Sequence, residues 1–246
     1  MKRNLVLGIL LGLALLTSFS GSMYAQGKVD PDKALSSKQK HIVPIAAYTA
    51  KGDLQQLKPA LNEGLDAGLS VNEIKEALVH LYAYCGFPRS IRGLQTFIEV
   101  LEDRKARGIN DVAGAEASPV NDDRSKYDRG KENLENLIGR PLTGPQTGYA
   151  AFAPVIEIFL KEHLFADIFE RDVLTFAERE LVTVSVLSSI GGVEPMLRSH
   201  LYICLNVGFT SDQLNEFVGI IKSSIGKKEA RAAQEVLDEV LNNRLS

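Results

Sequence analysis

The 246-residue sequence has no surplus of positive charge and few aromatic residues. It carries 28 Lys and Arg against 31 Asp and Glu, for a formal net charge of −3, with 7% aromatic residues and no Trp. Nucleic-acid-binding proteins need an excess of Lys and Arg on one face to neutralise phosphates, so the composition argues against a nucleic-acid partner. Its hydrophobic fraction of 45% and charged fraction of 24% are those of an ordinary globular protein, which excludes a disordered or collagen-like chain.

The N-terminal apolar run is too short to cross a membrane. It covers residues 5–16, which is 12 residues, whereas a membrane-spanning helix needs about 20. Lys2 and Arg3 precede it, and Met23-Tyr24-Ala25 follows as a cleavage site in which Met23 is larger than the usual small residue. We interpret residues 1–25 as a signal peptide, so we expect an exported, periplasmic or secreted protein with no membrane partner after cleavage. An uncleaved membrane anchor is the alternative.

Cysteine is scarce in this sequence. Cys85 and Cys204 are far apart, each lies in an apolar stretch, and no C-x-x-C pair occurs. We expect both to be buried structural thiols, because cysteine is among the residue types most often buried. A disulfide between them is the alternative, since paired cysteines are normally bridged in an oxidising compartment.

Patterns typical of a metal or phosphate site are missing as well. No two of the four histidines have metal-ligand spacing, none clusters with cysteine, and no Gly-rich phosphate loop occurs. We therefore expect neither a metal nor a cofactor. Three of the histidines are weak candidates for chemistry: His41, His80 on an apolar helix face, and His163 in a charged segment.

An internal repeat organises the rest of the chain. Residues 35–101 match residues 174–241, at an offset of 139 before a one-residue gap and 140 after it. The matched pairs include Leu35 with Leu174, Val43 with Val182, Leu61 with Leu201, Gly68 with Gly208 and Gly86 with Gly226. A repeat of this length indicates one structural unit used twice.

Helix-start signals recur at matching positions in the two repeats. A capping box pairs a Ser or Thr with a Glu or Gln three residues later. Four such boxes are present: Ser36 with Gln39, Ser70 with Glu73, Thr175 with Glu178, and Thr210 with Gln213. They predict three helices per repeat, over 37–50, 54–67 and 71–85, and over 176–190, 194–207 and 211–225.

The sequence thus predicts an all-α fold. One pattern conflicts with it, because Val182, Val184 and Val186 alternate with Thr and Ser as in a strand; the box at Thr175 and the repeat favour helix. We divide the chain into the signal peptide, a first repeat over 26–104, an exposed linker or partly disordered loop over 105–129, and lead-in helices with the second repeat over 130–246. The lead-in helices are expected at 130–140 and 154–169.

His200 is the first candidate for chemistry, and Glu180 is its expected partner. His200 has apolar neighbours at i+1, i−3 and i+4, which place the imidazole at or beside a buried stripe. A turn at Gly191-Gly192 would fold the two helices antiparallel and bring Glu180 toward His200. A Glu and a His in one apolar pocket form a general acid/base pair. A satisfied core histidine and a solvated charge cluster are the alternatives.

A second feature is Tyr84-Cys85-Gly86-Phe87-Pro88. Glycine followed by proline is typical of a helix stop. That interpretation accounts for Gly86 and Pro88 but leaves Tyr82 and Tyr84 unexplained.

These motifs resemble those of the carboxymuconolactone decarboxylase family, which shares its all-helical fold with alkylhydroperoxidase D. The second repeat carries the clearest match, in Arg179-Glu180-Leu181-Val182-Thr183, Gly191-Gly192-Val193-Glu194-Pro195, Arg198-Ser199-His200-Leu201 and Leu205-Asn206-Val207-Gly208-Phe209-Thr210. The first repeat keeps Tyr84-x-Gly86-x-Pro88 but has Ala60 where His200 would be, and the second has Ser224-x-Gly226-x-Lys228 in place of the tyrosine motif.

One departure separates the two chemistries of the resembled family. Its peroxidase-type members have a C-x-x-C just before the histidine, and those positions are Val193 and Met196 here. Disulfide exchange requires an attacking thiolate, so peroxiredoxin-type activity by that mechanism is disfavoured. The resemblance then implies the lactone-decarboxylase branch, a cofactor-independent lyase.

The resemblance also implies roles for further residues and a partner. His200 would act as general acid/base on a small carboxylated lactone or related acid, oriented by Glu180. The remaining substrate-binding candidates are Arg198 and Arg179 for the anion, with Tyr84 and Tyr202 at the pocket. Members form rings of six single-repeat units, which implies a trimer of tandem chains. The alternative is a non-catalytic exported binding or structural protein, with a core closed by Val193, Met196 and Tyr202.

Overall fold

The computed structural model describes residues 34–245. Within that range it contains helices and no strands, so the all-α prediction is confirmed. The predicted signal peptide, residues 1–25, lies outside the described residues. No helix among those described is both long enough and apolar enough to cross a membrane.

The helices follow the order that the repeat predicts. In chain order they are α1 Ser37–Lys51, α2 Leu54–Asp66, α3 Val71–His80, α4 Tyr82–Ala106, α5 Lys126–Ile138, α6 Gly148–Phe152, α7 Pro154–Phe159, a π-helical segment Leu160–Ile168, α8 Phe176–Ile190, α9 Glu194–Asn206, α10 Ser211–Ser224 and α11 Lys227–Leu245. Helices α1–α4 correspond to α8–α11, and α5–α7 with the π-helical segment form the lead-in to the second repeat.

All four capping boxes are present with both of their hydrogen bonds, at the N-caps Ser36, Ser70, Thr175 and Thr210. Each N-cap hydroxyl accepts from the amide three residues later, and the Glu or Gln there accepts from the N-cap amide. These caps satisfy amides that the helix itself leaves unpaired. They explain why four of the helix starts agree with the sequence to the residue.

The expectation of three helices per repeat is wrong, because each repeat has four. Gly86 has φ 81° and ψ 158°, which kinks the chain, but Pro88 then lies in the first turn of the next helical stretch, where proline needs no hydrogen-bond donor. The chain therefore resumes as a helix to Ala106. Gly226, with φ 148°, separates α10 from α11 in the same way.

Helix α8 is buried on nearly every side. Of its residues, only Glu178 and Ile190 are partly or largely exposed. This burial explains the misleading alternation of Val182, Val184 and Val186, since a helix at the centre of a protein is apolar all round. Helices α1 and α8 pack together, and each contributes to both main cores: Val43 of α1 lies with Val184 in one core, and Val182 of α8 lies in the other. The repeats therefore share one packed interior.

The segment between α4 and α5 is mostly exposed and has no regular secondary structure over residues 109–123. It runs across the start of α3, where the carbonyl oxygens of Val112 and Ala113 accept hydrogen bonds from the amides of Val71 and Asn72. The first amides of a helix lack partners within the helix, which gives the segment a place to bind. Helix α5 then begins at Lys126, inside the range assigned to the linker.

The lead-in helices pack on the second repeat through a third apolar cluster, which includes Leu137, Phe165, Phe169, Phe176 and Ile203. Both cysteines are free thiols, which excludes the alternative of a disulfide in this structure. Cys204 is buried as expected, whereas Cys85 is only half-buried because it lies at the Gly86 kink.

Candidate functional site

The structure brings His200 and Glu180 together. His200 Nδ1 lies 2.7 Å from Glu180 Oε2. Glu180 is in the first turns of α8 and His200 is on α9, and these helices are joined by Gly191 and Gly192, both at positive φ (67° and 73°). Glycine adopts this conformation without strain, which allows the tight reversal. The Glu180 side chain is fully buried, and the His200 side chain keeps 13% of its surface exposed.

The two nitrogens of His200 have different surroundings. With Glu180 ionised, Nδ1 carries the proton and donates it to Oε2, so the lone pair is on Nε2. No protein group within the described part of the chain hydrogen-bonds to Nε2. A buried carboxylate on one nitrogen and a free second nitrogen is the arrangement of a general acid/base.

Tyr84 enters this site from the first repeat. Its ring stands edge-on to the ring of His200, with centroids 5.5 Å apart and an interplanar angle of 84°. Its hydroxyl is buried and lies near the Thr183 hydroxyl. Burial raises the pKa of the Tyr84 hydroxyl well above its ordinary value and the charge of Glu180 raises it further, while Thr183 and Arg179 offset part of the rise. Tyr84 is therefore a protonated donor at any physiological pH.

His80 is a residue whose place beside the site the sequence did not reveal. It is fully buried at the end of α3, and its ring lies between those of Tyr84 and Phe169, at 5.4 and 5.2 Å. Its Nε2 is 2.9 Å from the Thr183 hydroxyl, which donates its own proton to the Arg179 carbonyl oxygen. His80 Nε2 must therefore carry a proton and donate it to Thr183.

The surroundings of His80 favour its neutral form. Its Nδ1 is left as an acceptor, facing Arg179 Nη1 at 3.4 Å. Burial lowers the pKa of His80 well below its ordinary value, and the charges of Arg179 and His200 lower it further.

The two arginines proposed for the substrate anion lie in different places. Arg179 is fully buried, donates to Glu76 Oε1 at 2.8 Å and also to the Arg171 carbonyl oxygen. Arg171 binds the same carboxylate at 2.9 Å, so Glu76 is held between two guanidinium groups. Burial lowers the pKa of Arg179, and the Glu76 charge opposes that effect. The charge of Arg179 is thus already paired with Glu76, and its side chain is buried away from solvent.

Arg198 and Tyr202 are not brought to the imidazole. Each is two residues from His200, and such residues point to opposite sides of a helix. Arg198 is partly exposed and binds Glu239 of α11 through Nε, at 3.0 Å. Tyr202 is half-buried and packs against the core of the second repeat. His163 is exposed and pairs with Asp167.

The repeat contained a signal for Glu76 and its arginine. Glu76 corresponds to Glu216, and Arg179 corresponds to Lys40, which form their own ion pair at 2.7 Å. An acid and a base that recur at matched positions of two repeats indicate a contact between the repeats. At the second location the other groups are missing, because His41, Ala60 and Ser224 replace Glu180, His200 and Tyr84. Within the described residues, the complete set of groups therefore occurs at one location. It is built from α3 and α4 of the first repeat and α8 and α9 of the second.

A cavity of about 590 Å³ lies elsewhere, between the linker and α5. Phe169 forms part of its lining and separates it from His80, whose ring it contacts. Its arginines are already paired, Arg129 with Glu170 and Arg124 with Asp122. Neither His200 nor Glu180 lines it. Within residues 34–245, no group of three or more His, Cys, Asp or Glu side chains is placed to hold a metal ion.

Comparison with known proteins identifies the fold unit. A 4-carboxymuconolactone decarboxylase of Acinetobacter baylyi is 27% identical over 122 residues, covering 49% of this chain and 90% of that protein. An uncharacterised protein of Methanocaldococcus jannaschii is 27% identical over 79 residues, covering 32% of this chain and 74% of that protein. Half of this chain thus matches nearly all of a relative, as expected of a tandem repeat. The model of the carboxymuconolactone decarboxylase family matches residues 14–99 and 156–239, more than half of the chain in two separate regions, and the chain therefore belongs to that family.

Proposed function

We propose that this protein is a cofactor-independent lyase that removes carbon dioxide from a small carboxylated lactone or related acid, with His200 as general acid/base. The observation that carries the proposal is the 2.7 Å contact between His200 Nδ1 and a fully buried Glu180, which leaves Nε2 without a partner among residues 34–245. The name of the Acinetobacter relative supports the substrate class.

The chemistry requires a proton at a defined position. When the bond to the carboxylate carbon breaks, carbon dioxide leaves and the electron pair stays on the substrate as an enolate. The protonated imidazole of His200 then gives its Nε2 proton to the substrate carbon, and solvent reprotonates the imidazole. Glu180 accepts the hydrogen bond from Nδ1 and so fixes the orientation of the imidazole. A positioned acid of this kind accelerates a reaction typically by about 10² to 10⁴.

The surrounding charges suit an anionic substrate. Arg171 and Arg179 carry two positive charges against the one negative charge of Glu76. The remaining positive charge offsets that of Glu180, so the site as a whole does not repel a carboxylate. Arg198 is engaged by Glu239 and is not needed for this balance.

The thiols support a mechanism without sulfur. Burial raises the pKa of Cys85 to about 11, and burial with the nearby Glu180 charge raises the pKa of Cys204 well above its ordinary value. Neither thiol provides an appreciable amount of thiolate at neutral pH, and the thiolate is the nucleophile of a thiol peroxidase.

A non-catalytic scaffold is the second candidate, and one observation favours it. The cavity beside the linker does not include His200 or Glu180. Release of carbon dioxide from a panel of small lactone carboxylic acids distinguishes the two candidates. Release by the wild-type protein above the uncatalysed rate supports a lyase, and release at the uncatalysed rate for every acid supports the scaffold.

We also propose that the protein is exported and assembles as a trimer. The support for assembly is a pair of exposed apolar faces on different elements. One face, on α6 and α7, consists of Tyr149, Phe152, Val155, Ile156, Ile158 and Phe159; the other, on α4, consists of Phe87, Ile91 and Ile98. A cyclic trimer needs two different surfaces on each chain that fit one another. Exposed apolar patches of this kind often mark protein interfaces.

A further inference from the structure

The His200 imidazole is contacted by groups on two other helices. Glu180 of α8 lies 2.7 Å from Nδ1, and the Tyr84 ring of α4 stands edge-on to the imidazole, with centroids 5.5 Å apart and an interplanar angle of 84°. The Glu180 contact fixes the direction in which Nδ1 points. The torsion that sets the ring plane of a histidine is itself broad, so a second contact is needed to limit the tilt of the ring about Nδ1.

Tyr84 is in turn contacted by His80, a buried residue that the proposed acid/base step does not use. The His80 ring lies 5.4 Å from that of Tyr84 and 5.2 Å from that of Phe169, separations at which aromatic rings attract one another. His80 Nε2 is 2.9 Å from the Thr183 hydroxyl, and Thr183 is one turn from Glu180 on α8. These contacts connect the Tyr84 ring to the helix that carries Glu180.

Packing holds the Tyr84 ring firmly in place. Tyr84 lies where the three apolar clusters meet, and it packs against all of them. His80 beside it is fully buried. Protein interiors are close-packed, so a ring that is packed on several sides has little freedom to move. Tyr84 is therefore a rigid surface for the imidazole, rather than a side chain that follows the imidazole.

The second location in the chain provides an internal comparison, because every member of this set is replaced there. His200, Tyr84, His80 and Thr183 correspond to Ala60, Ser224, Ile220 and Pro44. The replacements provide neither an aromatic ring nor a partner for a hydrogen bond between the third and fourth positions. The imidazole and the groups around it are thus present together at one location and missing together at the other, as expected if they act as a unit.

We infer that Tyr84 is a positioning residue, which holds the His200 imidazole in one plane from the other repeat, and that His80 supports Tyr84 in that position. Tyr84 acts here by contact through its ring, and not through its hydroxyl. This role rests on the proposed function in taking His200 to be the group that transfers the proton. The contact directs Nε2 to one point, which matters because a misplacement of about 1 Å can lower a rate about 100-fold.

The order of the His200 ring tests the inference without an enzyme assay. The sequence has four histidines, so the His200 ring signals in ¹³C relaxation spectra of the full-length protein are assigned by comparison with His200→Ala. For the His200 Cδ2–H bond we expect an order parameter of about 0.8 or more in the wild type and below about 0.6 in Tyr84→Leu. Tyr84→Phe keeps the ring and should keep the wild-type value. A low value in the wild type or in Tyr84→Phe, or a wild-type value in Tyr84→Leu, would overturn the inference.

Tyr82→Leu is the matched control, because it makes the same change two residues away on the same helix. The Tyr82 ring contacts Phe87 at 4.3 Å and His163 at 5.7 Å. Tyr82→Leu should therefore leave the His200 order parameter at the wild-type value. Circular dichroism checks that both leucine variants are folded, so that a loss of order in Tyr84→Leu alone reports the lost ring contact. Equal losses of order in the two variants would contradict the inference.

His80→Gln tests the support of Tyr84 separately. Glutamine can still donate a hydrogen bond to Thr183 but has no ring to pack on Tyr84, so the order parameter of the His200 ring should fall. His163→Gln should have no effect on that order parameter, because His163 is exposed. A wild-type order parameter in His80→Gln would refute the supporting role of His80.

Kinetics on a lactone acid that the wild type decarboxylates separate this role from the proposed function. We expect kcat of Tyr84→Leu to be at least about 10-fold below that of Tyr84→Phe, with KM values within about 2-fold of each other, because the ring contact directs the proton and does not bind the substrate. Equal kcat values in the two variants would overturn the positioning role. If the wild type decarboxylates none of the acids, the proposed function fails, and the order parameters still decide whether Tyr84 positions His200.

Discussion

Arg179 of the second repeat donates a hydrogen bond to Glu76 of the first at 2.8 Å, and both side chains are buried. Lys40 and Glu216 form the equivalent pair at 2.7 Å, but both of those side chains are at least 30% exposed. The same contact between the repeats therefore occurs once inside the protein and once at its surface. Because a buried charge left without its partner is far more costly than an exposed one, the two locations allow a matched comparison.

We predict that Glu76→Gln destabilises the protein by about 3 to 5 kcal/mol, because it leaves the buried guanidinium of Arg179 without its carboxylate. The matched variant Glu216→Gln should lose about 1 kcal/mol or less, as exposed pairs do. Urea unfolding of both variants measures the free energies of unfolding. Equal losses at the two positions would contradict the assignment of Glu76 as a buried counter-charge.

The pH dependence of stability should report on His80. Its folded-state pKa is lowered, so below the ordinary histidine pKa of about 6.5 the unfolded chain binds a proton that the folded chain does not. The stability associated with a neutral His80 is therefore complete above about pH 6.5 and is lost as the pH falls. The free energy of unfolding changes by at most about 1.4 kcal/mol per pH unit through this group.

His80→Gln should flatten that slope between pH 7.5 and pH 5, as measured by urea unfolding at several pH values. His163→Gln is the control, because His163 is exposed and lies outside the buried network. If the slope is the same in wild type and His80→Gln, then His80 is not held neutral in the folded protein.

The thiols should react slowly in the folded protein. Burial raises the pKa of the Cys85 thiol to about 11, so its thiolate fraction near neutral pH is far below that of a free thiol. Reaction with Ellman's reagent at pH 8 should release about one equivalent slowly before denaturation and two after it. Cys85→Ser should abolish the slow phase. Rapid reaction of either thiol would restore sulfur as a candidate nucleophile.

Assembly can be tested at the most exposed aromatic residue. Phe152 on α6 is 92% exposed within a single chain. If its face is buried in a trimer, Phe152→Asp should lower the mass measured by light scattering from three chains to one. Val112→Asp is the control, because Val112 is 74% exposed but lies on the linker. A single-chain mass for the wild type would refute the trimer.

Local signals in the sequence predicted most of the helices. The capping boxes at Ser36, Ser70, Thr175 and Thr210 fix their helix starts through contacts within four residues, so they needed no knowledge of the fold. The helix stop predicted from Gly86 and Pro88 was incomplete for a related reason. Glycine followed by proline is compatible with the end of a helix and also with the start of a new one. Only the packing of the residues that follow decides whether a second helix forms.

The site was only partly predictable, because its parts differ in how they are brought together. Glu180 and His200 lie on consecutive helices joined by a glycine turn, so a helical hairpin was enough to pair them. Glu76 and His80 reach the site only because the first repeat packs against α8, a contact between distant parts of the chain. Arg198 seemed suitable from its position beside His200, but a helix directs residues two apart to opposite sides.

The role of His200 is most directly tested by carbon dioxide release in His200→Ala, compared with the surface variant His163→Ala, on whichever small lactone acid the wild type decarboxylates. We predict a loss of at least about 100-fold in kcat/KM for His200→Ala in a protein that is still folded by circular dichroism, with partial recovery on adding free imidazole, and a wild-type rate for His163→Ala. A wild-type rate in His200→Ala would contradict the assignment of this imidazole as the acid/base.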